Sequence, residues 1–106
     1  MTHSSQSLRH VVLFKFKEHT PASAIQMIET GFRALGQELE LVRSFEWGIN
    51  NSPEGLNQGF THCFILTFAS EADRNAYLPH PAHQQFVYLL QPHLEKALVV
   101  DFWANE

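Results

Sequence analysis

The stretch FTHCFILTF, residues 60–68, is built of aromatic, β-branched and apolar residues with no turn former inside it, and it reads as a strand. Alternation places Phe60, His62, Phe64, Leu66 and Phe68 on one face and Thr61, Cys63, Ile65 and Thr67 on the other. Both faces therefore carry apolar side chains. A chain of 106 residues has the usual size of one domain with one core, so the fold turns on what covers each face.

Upstream, LRHVVLFKFK (8–17) has the same two-sided character, with His10, Val12, Phe14 and Phe16 opposite Val11, Leu13, Lys15 and Lys17. Downstream, ALVVDFW (97–103) forms a last strand in which Val99 stands opposite Leu98 and Val100. A further strand is expected in VRSFEWGIN (42–50), where Phe45, Trp47 and Ile49 alternate with Ser44, Glu46 and Gly48. NSPEGLNQG then reads as a turn-rich connection. Between these strands, Thr20 as cap and Pro21 as first helical residue open a helix over 21–36, with Ile25, Ile28, Phe32 and Leu35 at helical spacing and Gly36 as terminator. Ser70, with Asp73 three residues on, caps a short helix through Tyr77. Pro79 and Pro81 break it, and a second segment from Pro81 to about Gln91 turns Phe86, Leu89 and Leu90 inward.

The order is β-α-β-β-α-β, which predicts an α+β ferredoxin-like subunit with an antiparallel sheet, spanning 8–104 behind a polar tail at 1–7. Helices in this arrangement cover one face of the sheet only. The apolar residues on the other face predict a second copy packed against it, a symmetric homodimer burying about 800 Å² or more per partner.

Composition narrows the partners. The chain is 44% hydrophobic and 17% charged, and it holds no apolar run approaching the ~20 residues of a membrane span, so no membrane insertion is expected. MTHSSQS lacks the apolar stretch of a secretory signal, which makes the cytoplasm the default location. The net charge is −4 and the basic residues are scattered, which argues against nucleic acid. Cys63, the single cysteine, is expected to be a buried reduced thiol.

Taken together and in order, RHVVLFKFK, EWG, GFTHCFILTF, YLPHPAHQQF and VVDF resemble the stress-responsive A/B barrel (Dabb) family over nearly the whole chain. The resemblance implies a dimeric α+β barrel. It does not fix a function, because the family holds proteins without known activity as well as a plant polyketide cyclase. That cyclase closes a linear thioester by aldol condensation with histidine and tyrosine side chains and neither metal nor organic cofactor. Carried over by motif, its acid–base tyrosine and histidine fall on Tyr77 and His83, and two pocket histidines fall on His10 and His62. A pocket tyrosine of the first helix is replaced here by Phe32, so the hydroxyl that would touch substrate is missing.

The residues and the resemblance together leave two readings open. In one, His83, in the first turn of a helix, stays a neutral base and Tyr77 donates a hydrogen bond to an enolate oxygen. His10 and His62 then orient a small carbonyl substrate in a pocket walled by Phe14, Phe32 and Phe64, for aldol cyclisation or isomerisation without a cofactor. In the other, these side chains are packing residues of a non-catalytic, stress-associated or ligand-binding barrel. His80 is expected to cap a helix. With Pro81 between His80 and His83 and no cysteine or carboxylate pair nearby, no metal site is expected. His3, His19 and His93 are read as solvated, in a tail, a loop and a helix end.

Overall fold

The computed structural model describes residues 7–105, so the tail expected at 1–7, with His3, lies almost wholly outside the described residues. The elements run β1 (Leu8–Phe16), α1 (Ala22–Glu38), β2 (Ser44–Ile49), β3 (His62–Phe68), α2 (Glu71–Tyr77), α3 (Pro81–Leu90), a 3-10 turn at Gln91–His93 and β4 (Leu94–Trp103). The sheet order is β2-β3-β1-β4 and every pairing is antiparallel. This is the ferredoxin-like α+β arrangement.

Register fixes which side chains share a face. Phe64, Val12 and Val99 lie in one row across β3, β1 and β4, flanked by the rows Leu66–His10–Asp101 and His62–Phe14–Ala97. This face lies against the helices. Phe64, Leu66 and Phe68 are fully buried on it, together with Ile28 of α1 and Tyr77 of α2. Phe32 is the hub of the packing: its ring lies 4.5 Å from that of Phe86, 4.6 Å from Phe64 and 5.3 Å from Phe45, centre to centre. Burying one such side chain stabilises the fold by roughly 1.5–3 kcal/mol, so this aromatic group carries much of the core.

Several local expectations change. Thr20 does not cap α1: its hydroxyl donates to the Lys17 carbonyl at 2.6 Å, closing the preceding turn, and Pro21 takes the cap position. Gly36 does not end the helix, which continues to Glu38. It is a close-approach residue instead, because a Cβ there would come within 2.7 Å of Phe45 Cγ. Gly36→Ala is therefore expected to lower unfolding free energy by about 1–3 kcal/mol through overpacking, read by chemical denaturation. The strands expected at 42–50, 60–68 and 97–103 become 44–49, 62–68 and 94–103. The Ser70 cap is present, accepting from the Asp73 amide at 3.1 Å, and His80 caps α3 by accepting from the Ala82 amide at 3.0 Å.

On the opposite sheet face, Val11, Leu13, Cys63 and Ile65 are half-buried, and Leu98, Val100 and Phe102 are about half exposed. No helix of the described chain covers them. Cys63 is thus half-buried on this open face; burial pushes its thiol pKa up, so it is not a ready thiolate. No described helix is long and apolar enough to cross a membrane.

Candidate active site

A cavity of about 520 Å³ lies between the helix-side face of β1 and β4 and the helices α2 and α3. Its long direction follows β1. His10 and Asp101 stand at one end, Val12 and Val99 in the middle, and Phe14 and Ala97 at the other. Four residues of strand separate His10 from Phe14, a distance of about 13 Å. One end is therefore polar and the other apolar.

Tyr77 is the last residue of α2 and His83 lies in the first turn of α3. Pro79 and Pro81 are what bring them together. The prolines end one helix and start the next at once, and the reversed chain sets the two rings 4.6 Å apart, centre to centre, on the cavity wall. His83 Nδ1 donates to the Leu78 carbonyl at 2.8 Å. A carbonyl only accepts, so Nδ1 holds the proton and the neutral ring keeps its lone pair on Nε2. Burial pushes the His83 pKa down, against the Leu78 hydrogen bond that favours the charged form; the positive charge of His10 when protonated pushes it further down. His83 is thereby a neutral imidazole at pH 7.

Tyr77 is fully buried, and its hydroxyl has no hydrogen-bond partner among the described residues. Burial also pushes the phenol pKa up, so the group stays an O–H donor across the physiological range. An unpartnered buried hydroxyl costs roughly 1–3 kcal/mol, a cost relieved when a hydrogen-bond acceptor reaches it. Tyr77→Phe is accordingly expected to leave the melting temperature unchanged or raise it, which thermal denaturation checks. A tyrosine held by structural hydrogen bonding would give the opposite result.

His10 is 5% exposed, and its Nδ1 donates to Asp101 Oδ1 at 2.8 Å. Arg74 Nη1 donates to the other oxygen, Oδ2, at 3.0 Å. The carboxylate is thus shared, and the chain Arg74–Asp101–His10 fixes the imidazole with Nε2 as its free nitrogen. Arg74 and Asp101 were not singled out from the sequence. Asp101 had a signal: it is an acidic residue in phase with Ala97 and Val99 inside an apolar strand. Arg74 had none, because its meaning depends on α2 lying over β4.

Of the seven residues named from sequence, His10, Phe14, Phe32, Tyr77 and His83 line the cavity, and His62 and Phe64 are not among its lining residues. This corrects the pocket place expected for those two. Phe64 is fully buried in the aromatic core. His62 Nε2 instead faces Glu29 of α1, 2.7 Å from Oε2, and its Nδ1 lies 2.8 Å from Thr61 Oγ1. Sequence alternation placed His62 on the right face, but it did not show that a carboxylate from α1 comes down on it. His80 Nδ1 is committed to its helix cap. Among the described residues, no group of three or more histidine, cysteine or acidic side chains is placed to hold a metal ion.

Comparison with known proteins gives the same frame. The model of the family described as Stress responsive A/B Barrel Domain matches residues 8–104. The Arabidopsis thaliana stress-response A/B barrel domain-containing protein HS1 is 34% identical over 102 residues, covering 96% of this chain and 94% of that protein. The olivetolic acid cyclase of Cannabis sativa is 27% identical over 97 residues, covering 91% and 95%. Among solved structures, the hydroxynitrile lyase of Passiflora edulis superposes with a TM-score of 0.87 at 27% identity, over 94% of each chain. A protein of unknown function from Jannaschia sp., described as dimeric and ferredoxin-like, superposes with a TM-score of 0.78 at 26% identity, over 91% of this chain and 97% of that one.

Proposed function

The chain belongs to the stress-responsive A/B barrel domain family, and from that membership we propose that it is a cofactor-independent acid–base enzyme acting on a small carbonyl compound with an apolar tail. One observation carries the reading: a neutral histidine whose free nitrogen is its Nε2 and a tyrosine hydroxyl with no described partner share the polar end of one cavity. His83 Nε2 takes the proton beside the substrate carbonyl. The Tyr77 O–H donates to the oxygen as enolate charge develops, and His10 Nε2, a lone-pair acceptor, takes a hydrogen bond from a hydroxyl or enol O–H of the substrate. The enolate then either attacks a second carbonyl of the same molecule, whose new alkoxide takes the proton back from His83 to give the cyclic aldol, or is reprotonated by His83 at another carbon, giving an isomer. A cyclase and a lyase among the similar proteins support chemistry of this class.

The apolar end, with Phe14, Phe32 and Leu90, takes the tail of the substrate. The test is hydrogen exchange at the carbon beside a carbonyl. Straight-chain methyl ketones are incubated with the protein in D2O, and deuterium incorporation above buffer background is followed by NMR. Exchange that requires Tyr77 and His83 supports an enzyme; saturable binding with no exchange in any ketone leaves a ligand-binding barrel in its place.

The working unit is a homodimer formed through the open sheet face. Its half-exposed Leu98, Val100 and Phe102 and the dimeric description of the Jannaschia protein support this.

A further inference from the structure

The His62–Glu29 pair has no part in the acid–base step, yet it is a costly thing to build. His62 is 5% exposed, and it is enclosed by aromatic rings as well as by the carboxylate. The Trp47 ring lies nearly parallel to it at 6.1 Å between centres, and Phe16 meets it edge-on at 5.1 Å. The side chain of Glu29 is 19% exposed. Two polar groups removed from water to this degree are retained at a cost that simple packing of apolar residues would avoid.

Their place suggests what the pair does. His62 stands in the same sheet row as Phe14 and Ala97, at the apolar end of the cavity, but on the far side of Phe14 from it. Glu29 lies on α1 three residues before Phe32, so the two side chains share a helix face. Phe32 stacks on Phe14 at 5.9 Å and on Phe86 at 4.5 Å, and it lines the cavity. The hydrogen bond from β3 to α1 thus holds the helix turn that carries the end wall.

We infer that the Glu29–His62 pair is a positioning device that sets the depth of the cavity, and with it the longest substrate tail the site accepts. The inference rests on the proposed carbonyl site and adds a length limit to it. With the pair intact, α1 cannot rise from the sheet at Phe32. With the pair broken, the Phe32 ring yields and the tail reaches the space next to His62.

Affinities of methyl ketones from 2-hexanone to 2-dodecanone, measured by NMR titration, test this. Each methylene that enters the cavity tightens binding about fourfold, and the gain stops where the tail meets Phe32. In wild type a sharp break in affinity against chain length is expected. In Glu29→Ala the break moves to longer ketones by two or more carbons, and Glu29→Gln, which keeps a hydrogen bond to the ring, restores the wild-type break. Should Glu29→Ala fold poorly, the double variant Glu29→Leu, His62→Leu removes both partners, leaves neither unpaired, and is expected to show the longer break too. A break at the same length in wild type and in a folded pair-breaking variant overturns the inference and leaves the carbonyl site standing. Failure of every ketone to bind the wild type overturns both.

Discussion

His83→Ala is expected to slow the proposed exchange of the proton beside the carbonyl by about 10²–10⁴-fold, while the protein still melts within about 4 °C of wild type. The two halves of that result have separate causes. The His83 imidazole lies 4.6 Å from the Tyr77 ring, against 6.1 Å for His10, and its Nε2 lone pair is free because Nδ1 is tied to a backbone carbonyl, so its removal takes away the proposed base. The ring is only half-buried, and the Leu78 carbonyl it leaves lies near solvent, so little packing is lost. The pH dependence follows from the direction of the shift. Burial lowers the His83 pKa from its ordinary 6.5, so the rate is flat at and above neutrality and falls only as pH drops through the lower folded-state value. Stability moves the same way. Above 6.5 both folded and unfolded chains carry a neutral His83; below it the unfolded chain takes up the proton first, and the folded state loses ground until its own ring titrates. Melting temperature measured against pH is therefore expected to fall more steeply below pH 6.5 in wild type than in His83→Ala. A folded variant that still exchanges at the wild-type rate removes His83 from the mechanism.

Period-two alternation made the strand faces legible, because a strand's faces are fixed by residue parity alone, and the shared faces of His10, Val12 and Phe14 and of His62, Phe64 and Leu66 follow from it directly, while the register that pairs them does not. Parity also showed that one apolar face has no helix to cover it. Tyr77 and His83, whose proposed roles came from the resemblance, were visible in the sequence as lying on either side of a break that two prolines impose. What stayed hidden depends on distances between elements remote in sequence. Asp101 and His10 are 91 residues apart, and Glu29 and His62 are 33 apart. Neither pair has a local pattern. Gly36 is the instructive case at short range, because a glycine near the end of a helical pattern reads as a stop, whereas here it stays in the helix and makes room for Phe45.

Val100→Asp is expected to split the proposed homodimer. Val100 pairs with Val11 and Leu98 with Leu13 on the open face, and Val11 and Leu13 in turn lie beside Ile65 and Cys63, so the apolar surface is continuous across three strands. Val100 is 51% exposed in the single chain, and an aspartate there meets water as long as the chain is alone. In a twofold assembly the same change enters twice and places two carboxylates in one apolar interface, where an uncompensated charge costs several kcal/mol or shifts its pKa to avoid ionising. Sedimentation at about 10 µM is expected to give a dimer of the 12.2 kDa chain for wild type and the single chain for Val100→Asp, with circular dichroism unchanged and dissociation raised by about 10²-fold or more. The two sites also separate physically. The cavity lies on the helix side of the sheet and Val100 on the other, so the monomeric variant should bind methyl ketones through the same Tyr77 and His83. Loss of binding along with the dimer would mean that the partner subunit holds the cavity in shape, and a wild type that sediments as a single folded chain would remove the dimer from the proposal.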